Sequence, residues 1–137
     1  MLKPKALDHL ALKVTDMDKS LAFYHDVLGF ELLRTSDATA SGGRSAVLQI
    51  GSQKLDLFSR PDFVSADKDK PIGMDHLCVQ LEATTIEDVI DALRQQQVEI
   101  FWGPVVRHGN TSIYVYDPDG IHVELRVATP VSTTQPV

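Results

Sequence analysis

Hydrophobic and polar residues alternate along two pairs of similar segments in this chain. The segment LDHLALKV at residues 7–14 has the pattern of MDHLCVQL at residues 74–81, and KLDLF at 54–58 has that of HVELR at 122–126. A period of two predicts half-buried β-strands, because successive side chains of a strand point to opposite faces. Both pairs are separated by nearly the same number of residues, so we infer that the chain contains a duplicated module.

Each half also carries a helix signal, with apolar residues at helical spacing between a capping residue and a stop. The first helix is expected to begin after Asp16 or Asp18 and to end at Gly29. The second is expected to begin after Thr84 or Thr85. Short side chains that carry an oxygen accept hydrogen bonds from the first free backbone amides of a helix. Glycine readily adopts the left-handed conformation at which many helices end.

Three short strands are predicted after each helix. They cover Phe30–Arg34, Ala46–Ile50 and Lys54–Phe58 in the first half, and Val98–Trp102, Ser112–Tyr116 and His122–Val127 in the second. The chain is therefore predicted to be an α+β protein with two tandem βαβββ modules that form a cupped mixed sheet. We expect one domain: module 1 at about 5–60, a linker at 61–73, module 2 at about 74–127 and a flexible tail at 128–137.

Composition narrows the range of partners and locations. The 137 residues are 43% hydrophobic and 23% charged, which is typical of a globular domain. A net charge of −6 with no basic run argues against nucleic acid, and no apolar stretch is long enough to span a membrane. The one cysteine, Cys78, excludes a disulfide framework. With no recognisable signal peptide, we expect a cytoplasmic protein that binds small molecules.

Four polar residues occupy equivalent positions in the two halves. His76 follows His9 by 67 positions, and Glu124 follows Asp56 by 68. Each lies on the polar face of its strand, and if the helices cover the apolar faces, the polar faces line a shared cavity. Two imidazoles and two carboxylates suit one divalent ion of Ni, Zn, Co, Mn or Fe(II). Without Asp56, two histidines and one carboxylate remain, the facial set of non-haem iron.

Three segments resemble a known family. They are DHLALKV near the start, SLAFYHDVLGFELLR at residues 20–34 and YDPDGIHVELR at residues 116–126. On these motifs the chain resembles the vicinal oxygen chelate superfamily, which includes glyoxalase, bleomycin-resistance and extradiol-dioxygenase proteins, from about residue 7 to 127. The resemblance implies the glyoxalase/dioxygenase-like fold and a metal held by His9, Asp56, His76 and Glu124.

The leading function implied by the resemblance is that of a metal-dependent lyase or isomerase similar to glyoxalase I. Such an enzyme acts on a small oxygenated substrate, such as a thiol adduct, through an enediolate. Glu124 is then the catalytic base and acid. Asp56 stands where glyoxalase I carries a Glu, and Lys13 stands where an Arg would hold a glutathione carboxylate. Open sheet edges and a cavity mouth also lead us to expect a homodimer.

Three alternatives stay open at this stage. Fosfomycin thiol transferases use two histidines and one glutamate, and Tyr114 matches their phosphonate-contacting tyrosine. Extradiol dioxygenases use the facial set with a nearby acid–base residue, for which His108, His122, Tyr114 and Tyr116 are available. His108 is expected on a loop over the cavity mouth and is a candidate for substrate binding. A metal-free binding or resistance protein would not use the histidines. Arg34 is a further candidate for contacting an acidic substrate.

Overall fold

A computed structural model describes residues 3, 5–37, 42–61 and 74–130. The chain divides into two compact units, residues 1–68 and 69–137, and the two predicted modules lie one in each unit. The predicted linker at 61–73 lies outside the described residues except for Pro61. Within the described ranges no helix is long enough to cross a membrane, since about 20 residues are needed.

The first unit has the predicted order of one strand, one helix and three strands. Its elements are β1 (His9–Val14), α1 (Met17–Leu21), β2 (Glu31–Ser36), β3 (Arg44–Ile50) and β4 (Gln53–Ser59). The strands form one sheet in the order β1-β4-β3-β2, with β1 and β4 parallel and the remaining pairs antiparallel. Helix α1 contacts β3 and β4. The α+β module predicted from the sequence is confirmed.

The second unit repeats this topology. Its elements are β5 (Leu77–Gln80), α2 (Ile86–Gln95), β6 (Ile100–Arg107), β7 (Asn110–Tyr116) and β8 (His122–Ala128). The sheet order is β5-β8-β7-β6, and again only the first pair is parallel. Strand β8 ends one residue later than predicted, and the amide of Thr129 donates to the carbonyl of Gly109. Most of the predicted tail, residues 131–137, lies outside the described residues.

Alternating burial along the inner strands builds each core. In β4, Leu55 and Leu57 are buried while Asp56 between them is half-buried, and in β8 Val123 and Leu125 are buried on either side of Glu124. One face of each sheet is therefore apolar and the other carries the predicted site residues. The alternation along residues 7–14 predicts Leu10 on the apolar face with Leu12 and Val14, but Leu10 is exposed, since it lies near the start of an edge strand.

The first helix differs from a regular α-helix. Asp16 caps it as predicted, accepting a hydrogen bond from the amide of Lys19, but after Leu21 the chain continues as a π-helix at Ala22–Val27. The amide of Leu28 donates to the carbonyl of Phe23, five residues earlier. The wider turn accompanies the burial of two adjacent aromatic residues, Phe23 and Tyr24. Apolar spacing alone does not distinguish these helix types.

Strand β6 extends beyond its predicted end at Trp102. Gly103 and Pro104 suggested a break, but the ladder continues to Arg107 with irregular register on both sides of Trp102. Such bulges let an edge strand accommodate glycine and proline. Gly103 has a φ of +101°, and a Cβ built there would lie 2.6 Å from the carbonyl oxygen of Ser112 on β7. Only glycine suits this close approach.

The cap of α2 yields a test of the local fold. The Thr85 hydroxyl accepts from the amide of Asp88 at 3.2 Å, whereas Thr84 contacts only the carbonyl of Thr85, at 3.4 Å. We expect Thr85→Ala to lower the free energy of unfolding by about 1 kcal/mol. Urea denaturation followed by circular dichroism measures it. Thr84→Ala is the matched control, and an equal loss in both variants would contradict the assignment of the cap.

Candidate metal centre

In the first unit, the parallel pairing of β1 and β4 brings His9 to Asp56. Ala11 is directly opposite Asp56, and His9 lies two residues earlier on the same face. His9 Nε2 is 3.8 Å from Asp56 Oδ2, and His9 Nδ1 is 2.8 Å from Oδ2 of the preceding Asp8. One imidazole thus lies between two carboxylates.

The second unit repeats this arrangement at closer range. Cys78 is directly opposite Glu124, and His76 again lies two residues before. His76 Nε2 is 3.0 Å from Glu124 Oε1, and its Nδ1 is 2.7 Å from Oδ2 of the preceding Asp75. Both halves therefore contain the same chain of contacts, from aspartate to histidine to acid.

These contacts determine which ring nitrogen is available as a ligand. An ionised carboxylate only accepts hydrogen bonds, so Nδ1 of each histidine donates to its neighbouring aspartate. In the neutral ring, Nε2 then carries a lone pair that faces the second carboxylate. At 3.0 Å the His76 nitrogen and the Glu124 oxygen are close enough to share a proton or a metal ion, and the 3.8 Å between His9 and Asp56 also admits a metal ion. Metal-binding histidines characteristically donate their other ring N–H to a carboxylate in this way.

Each distance also suits two ligands of a divalent metal ion. Ligand nitrogen and oxygen atoms bind divalent metals at about 2.0–2.2 Å, so two ligands of one ion lie no more than about 4.4 Å apart. The separations of 3.0 Å for His76–Glu124 and 3.8 Å for His9–Asp56 both fall within this limit. Among residues 3, 5–37, 42–61 and 74–130, no group of three or more His, Cys, Asp or Glu side chains is arranged to hold a metal ion. Each unit supplies two candidate ligands.

Glu124 is held more firmly than Asp56. Ser112 Oγ donates to Glu124 Oε2 at 2.6 Å, and Tyr114 lies directly opposite Glu124 on β7, where its hydroxyl also favours the ionised carboxylate. Burial raises the pKa of Glu124, but these hydrogen bonds and the nearby His76 outweigh it, so the pKa lies below its usual range. The carboxylate is thus ionised near neutral pH. The position on β3 opposite Asp56 is Val47, which has no hydroxyl to offer.

The predicted substrate-contacting residues differ in their relation to these pairs. Tyr114 is buried beside Glu124, with its ring centroid 6.0 Å from that of His76. Lys13 is exposed on the His9 face of β1, and Arg34 is exposed on β2 opposite Val47. His108 is exposed in the β6–β7 turn with a φ of +48°. The structure thus brings Tyr114 to a candidate ligand, and among the described residues it shows no contact of Arg34 or His108 with one.

Three supporting residues were not singled out from the sequence. Asp8 and Asp75 had a visible signal, because the Asp–His dipeptide itself is duplicated. Ser112 had a weaker one, since it shares a strand face with Tyr114 two positions away. Cys78, two positions after His76, is a separate case. Burial and the nearby Glu124 raise the pKa of its thiol, which therefore stays protonated at neutral pH.

A cavity elsewhere in the first unit contains none of the predicted residues. It has a volume of about 330 Å³ and is lined by residues that include Gly43, Arg44 and Arg60. Arg44 there donates to Asp18 at 3.0 Å and to Asp37 at 2.9 Å. Its positive charge is therefore already balanced by two carboxylates, so we place the candidate chemistry at the histidine pairs.

Comparison with known proteins agrees with this fold. The sequence model of the Glyoxalase/Bleomycin resistance protein/Dioxygenase superfamily matches residues 6–125. This chain belongs to that superfamily. It is 36% identical over 124 residues to the virulence protein STM3117 of Salmonella typhimurium, which covers 87% of this chain and 81% of that protein. The sequence resemblance is thereby confirmed.

Two further relatives indicate the range of the family. A probable lactoylglutathione lyase of a Synechocystis species is 32% identical over 121 residues, covering 85% of this chain and 91% of that protein. The crystal structure of a glyoxalase/dioxygenase from Nostoc punctiforme superposes with a TM-score of 0.80 at 28% identity, covering 95% of this chain and 97% of that one.

The Asp8–His9 contact gives a direct test in solution. The hydrogen bond that His9 donates to Asp8 and the charge of Asp56 raise the pKa of His9 above its usual value of 6.5. We expect Asp8→Asn to lower the pKa of His9 in protein freed of metal by a chelator, because protonated histidine loses its strongest partner. A pH titration of the histidine NMR signals measures this. Asp26→Asn, also in the first unit, should leave the His9 titration unchanged, and an unshifted pKa in Asp8→Asn would contradict the contact.

Proposed function

We propose that this chain is a metal-dependent lyase or isomerase of the superfamily, with chemistry similar to that of glyoxalase I. One divalent ion would be held by His9, Asp56, His76 and Glu124. The observation that carries the proposal is that, in both units, a histidine Nε2 faces a carboxylate while Nδ1 is committed to an aspartate. A bound ion would polarise an oxygen of the substrate as a Lewis acid.

Glu124 is the residue best suited to move the proton. It is ionised near neutral pH, the state that a base needs before it accepts a proton. Ser112 holds Oε2, which leaves Oε1 as the atom directed to the candidate metal and substrate. Asp56, with a longer separation from its histidine and no hydroxyl partner opposite, is better suited to act only as a ligand.

The similarity to a probable lactoylglutathione lyase supports the reaction class. Isomerisation of a hemithioacetal removes a proton from one carbon and returns it to the next, which one carboxylate can do as base and then as acid. Lys13 lies exposed on the His9 face, and we assign it to contact with a substrate carboxylate.

Metal content is the first test of this function. Protein purified without an affinity tag, stripped and then reconstituted separately with Mn, Fe(II), Co, Ni or Zn, should bind about one equivalent of at least one of these ions per chain. His76→Ala and Glu124→Gln should each lower the metal affinity, measured by elemental analysis after dialysis. His25→Ala is the control for a histidine outside the pairs. Uptake below about a tenth of an equivalent with every ion would instead indicate the metal-free binding protein.

Turnover is the second test. Reconstituted protein should isomerise the hemithioacetal of methylglyoxal and glutathione, followed by the absorbance of the thioester product. Glu124→Gln should lower kcat by about 100-fold or more, since general acid–base catalysis contributes a factor of that size. Asp91→Asn on α2 is the matched carboxylate control. If only catechols, or only fosfomycin with a thiol, were turned over by the same preparation, the glyoxalase-like assignment would fail.

A further inference from the structure

The two units differ sharply in the residues around their ligand pairs. On β7 and β8, Tyr114 is opposite Glu124 and Tyr116 is opposite His122. The corresponding pairs on β3 and β4 are Val47 with Asp56 and Gln49 with Lys54. Both units share the strand topology and the His–carboxylate pair, so neither of these features by itself accounts for aromatic residues in the second unit alone. The aromatic residues of the second unit therefore call for a separate explanation.

These residues form a continuous aromatic surface on the Glu124 face of the second sheet. We call this surface the aromatic shelf and define it as Phe101, Trp102, Tyr114, Tyr116 and His122. The rings of Phe101 and Tyr116 are stacked, with centroids 4.1 Å apart and planes 20° apart. His122 contacts both, at 4.9 Å and 5.0 Å.

Trp102 is the exposed end of the shelf. Its ring lies 4.6 Å from that of Tyr114, yet 46% of the residue is accessible to solvent. Tyr114, by contrast, is buried and lies between Trp102 and His76. The register irregularities that flank Trp102 set its position, and bulges of this kind commonly redirect a side chain beside a functional site.

Arg107 adds a positive charge to the shelf. Its guanidinium carbon lies 5.0 Å from the centroid of the Trp102 ring. Within the described ranges no carboxylate pairs with this guanidinium, which stacks on the indole instead. A stacked guanidinium keeps its N–H donors directed outward, in a geometry that matches a carboxylate at two points.

We propose that the aromatic shelf and Arg107 bind a flat, conjugated carboxylate as the non-reacting part of the substrate. A planar unsaturated group stacks on Trp102, and its carboxylate pairs with Arg107. The inference rests on the proposed function in one respect, which is that the reacting end of the substrate lies at His76 and Glu124. Charge complementarity favours this ligand over a second copy of the chain, because an apolar contact alone would bury Arg107 without a partner.

Trp102 is the only tryptophan in the chain, so its fluorescence reports on the shelf directly. Cinnamate is a suitable probe, since it joins an aromatic ring and a carboxylate through a conjugated link. We expect saturable quenching by cinnamate in both metal-free and metal-loaded protein. Cinnamamide, with the same plane and no charge, should bind about tenfold more weakly, because a charge-assisted hydrogen bond is lost.

Variants separate the two parts of the proposal, with binding measured by isothermal titration calorimetry. Arg107→Gln should weaken cinnamate about tenfold and leave cinnamamide unchanged. Trp102→Leu should weaken both ligands. Arg94→Gln on α2 and Val106→Ser on β6 are controls for an exposed cation and an exposed apolar residue, and neither should change binding.

Three results would overturn the inference. The first is the absence of saturable cinnamate binding, and the second is equal binding of cinnamate and cinnamamide. The third is dissociation of an oligomer by Trp102→Leu, measured by sedimentation, which would indicate that the shelf is an interface between copies of the chain. Because binding is measured without metal, these outcomes are distinguishable from failure of the proposed function. Cinnamate binding without metal uptake would support the aromatic shelf as a ligand site and contradict the proposed metal-dependent enzyme. Metal uptake without cinnamate binding would support the enzyme and contradict the ligand site.

Discussion

The candidate site depends on one electrostatic arrangement, in which a histidine is held between two carboxylates. The first carboxylate fixes the ring by accepting its Nδ1 proton, and the second faces the lone pair of Nε2. A cation between nitrogen and oxygen stabilises such an arrangement, most strongly at the shorter separation of His76 and Glu124. The parallel pairing of the first and last strand of each unit creates it, because that register sets a histidine two residues from the partner of an acid.

Much of the fold and the core of the site could be predicted from residue pattern alone. Alternating strands, the Asp16 cap and the equivalent positions of His9, Asp56, His76 and Glu124 all follow from period and repetition. These features are local or duplicated, and that is why the sequence displays them. The hydrogen bond from Ser112 to Glu124 depends on the antiparallel pairing of β7 with β8, which no single segment reveals.

Two local deviations were missed for a different physical reason. The π-helix at Ala22–Val27 has the same apolar residues that a regular helix would need, and only the burial of both Phe23 and Tyr24 distinguishes it. Strand β6 continues through Gly103 and Pro104 because its register shifts around them, whereas local propensity favours a break there. In both cases packing against the sheet outweighs the preference of the segment itself.

Gly103 also constrains how this chain can vary. Its left-handed backbone and its approach to the Ser112 carbonyl leave no space for a side chain, and it lies between Trp102 on one strand and the serine that holds Glu124 on the next. A methyl group at this point would push the two strands apart and disturb both neighbours together. Substitutions along β6 are therefore tolerated at exposed Val106 but not at Gly103. The side chains of this strand can change more readily than the course of its backbone.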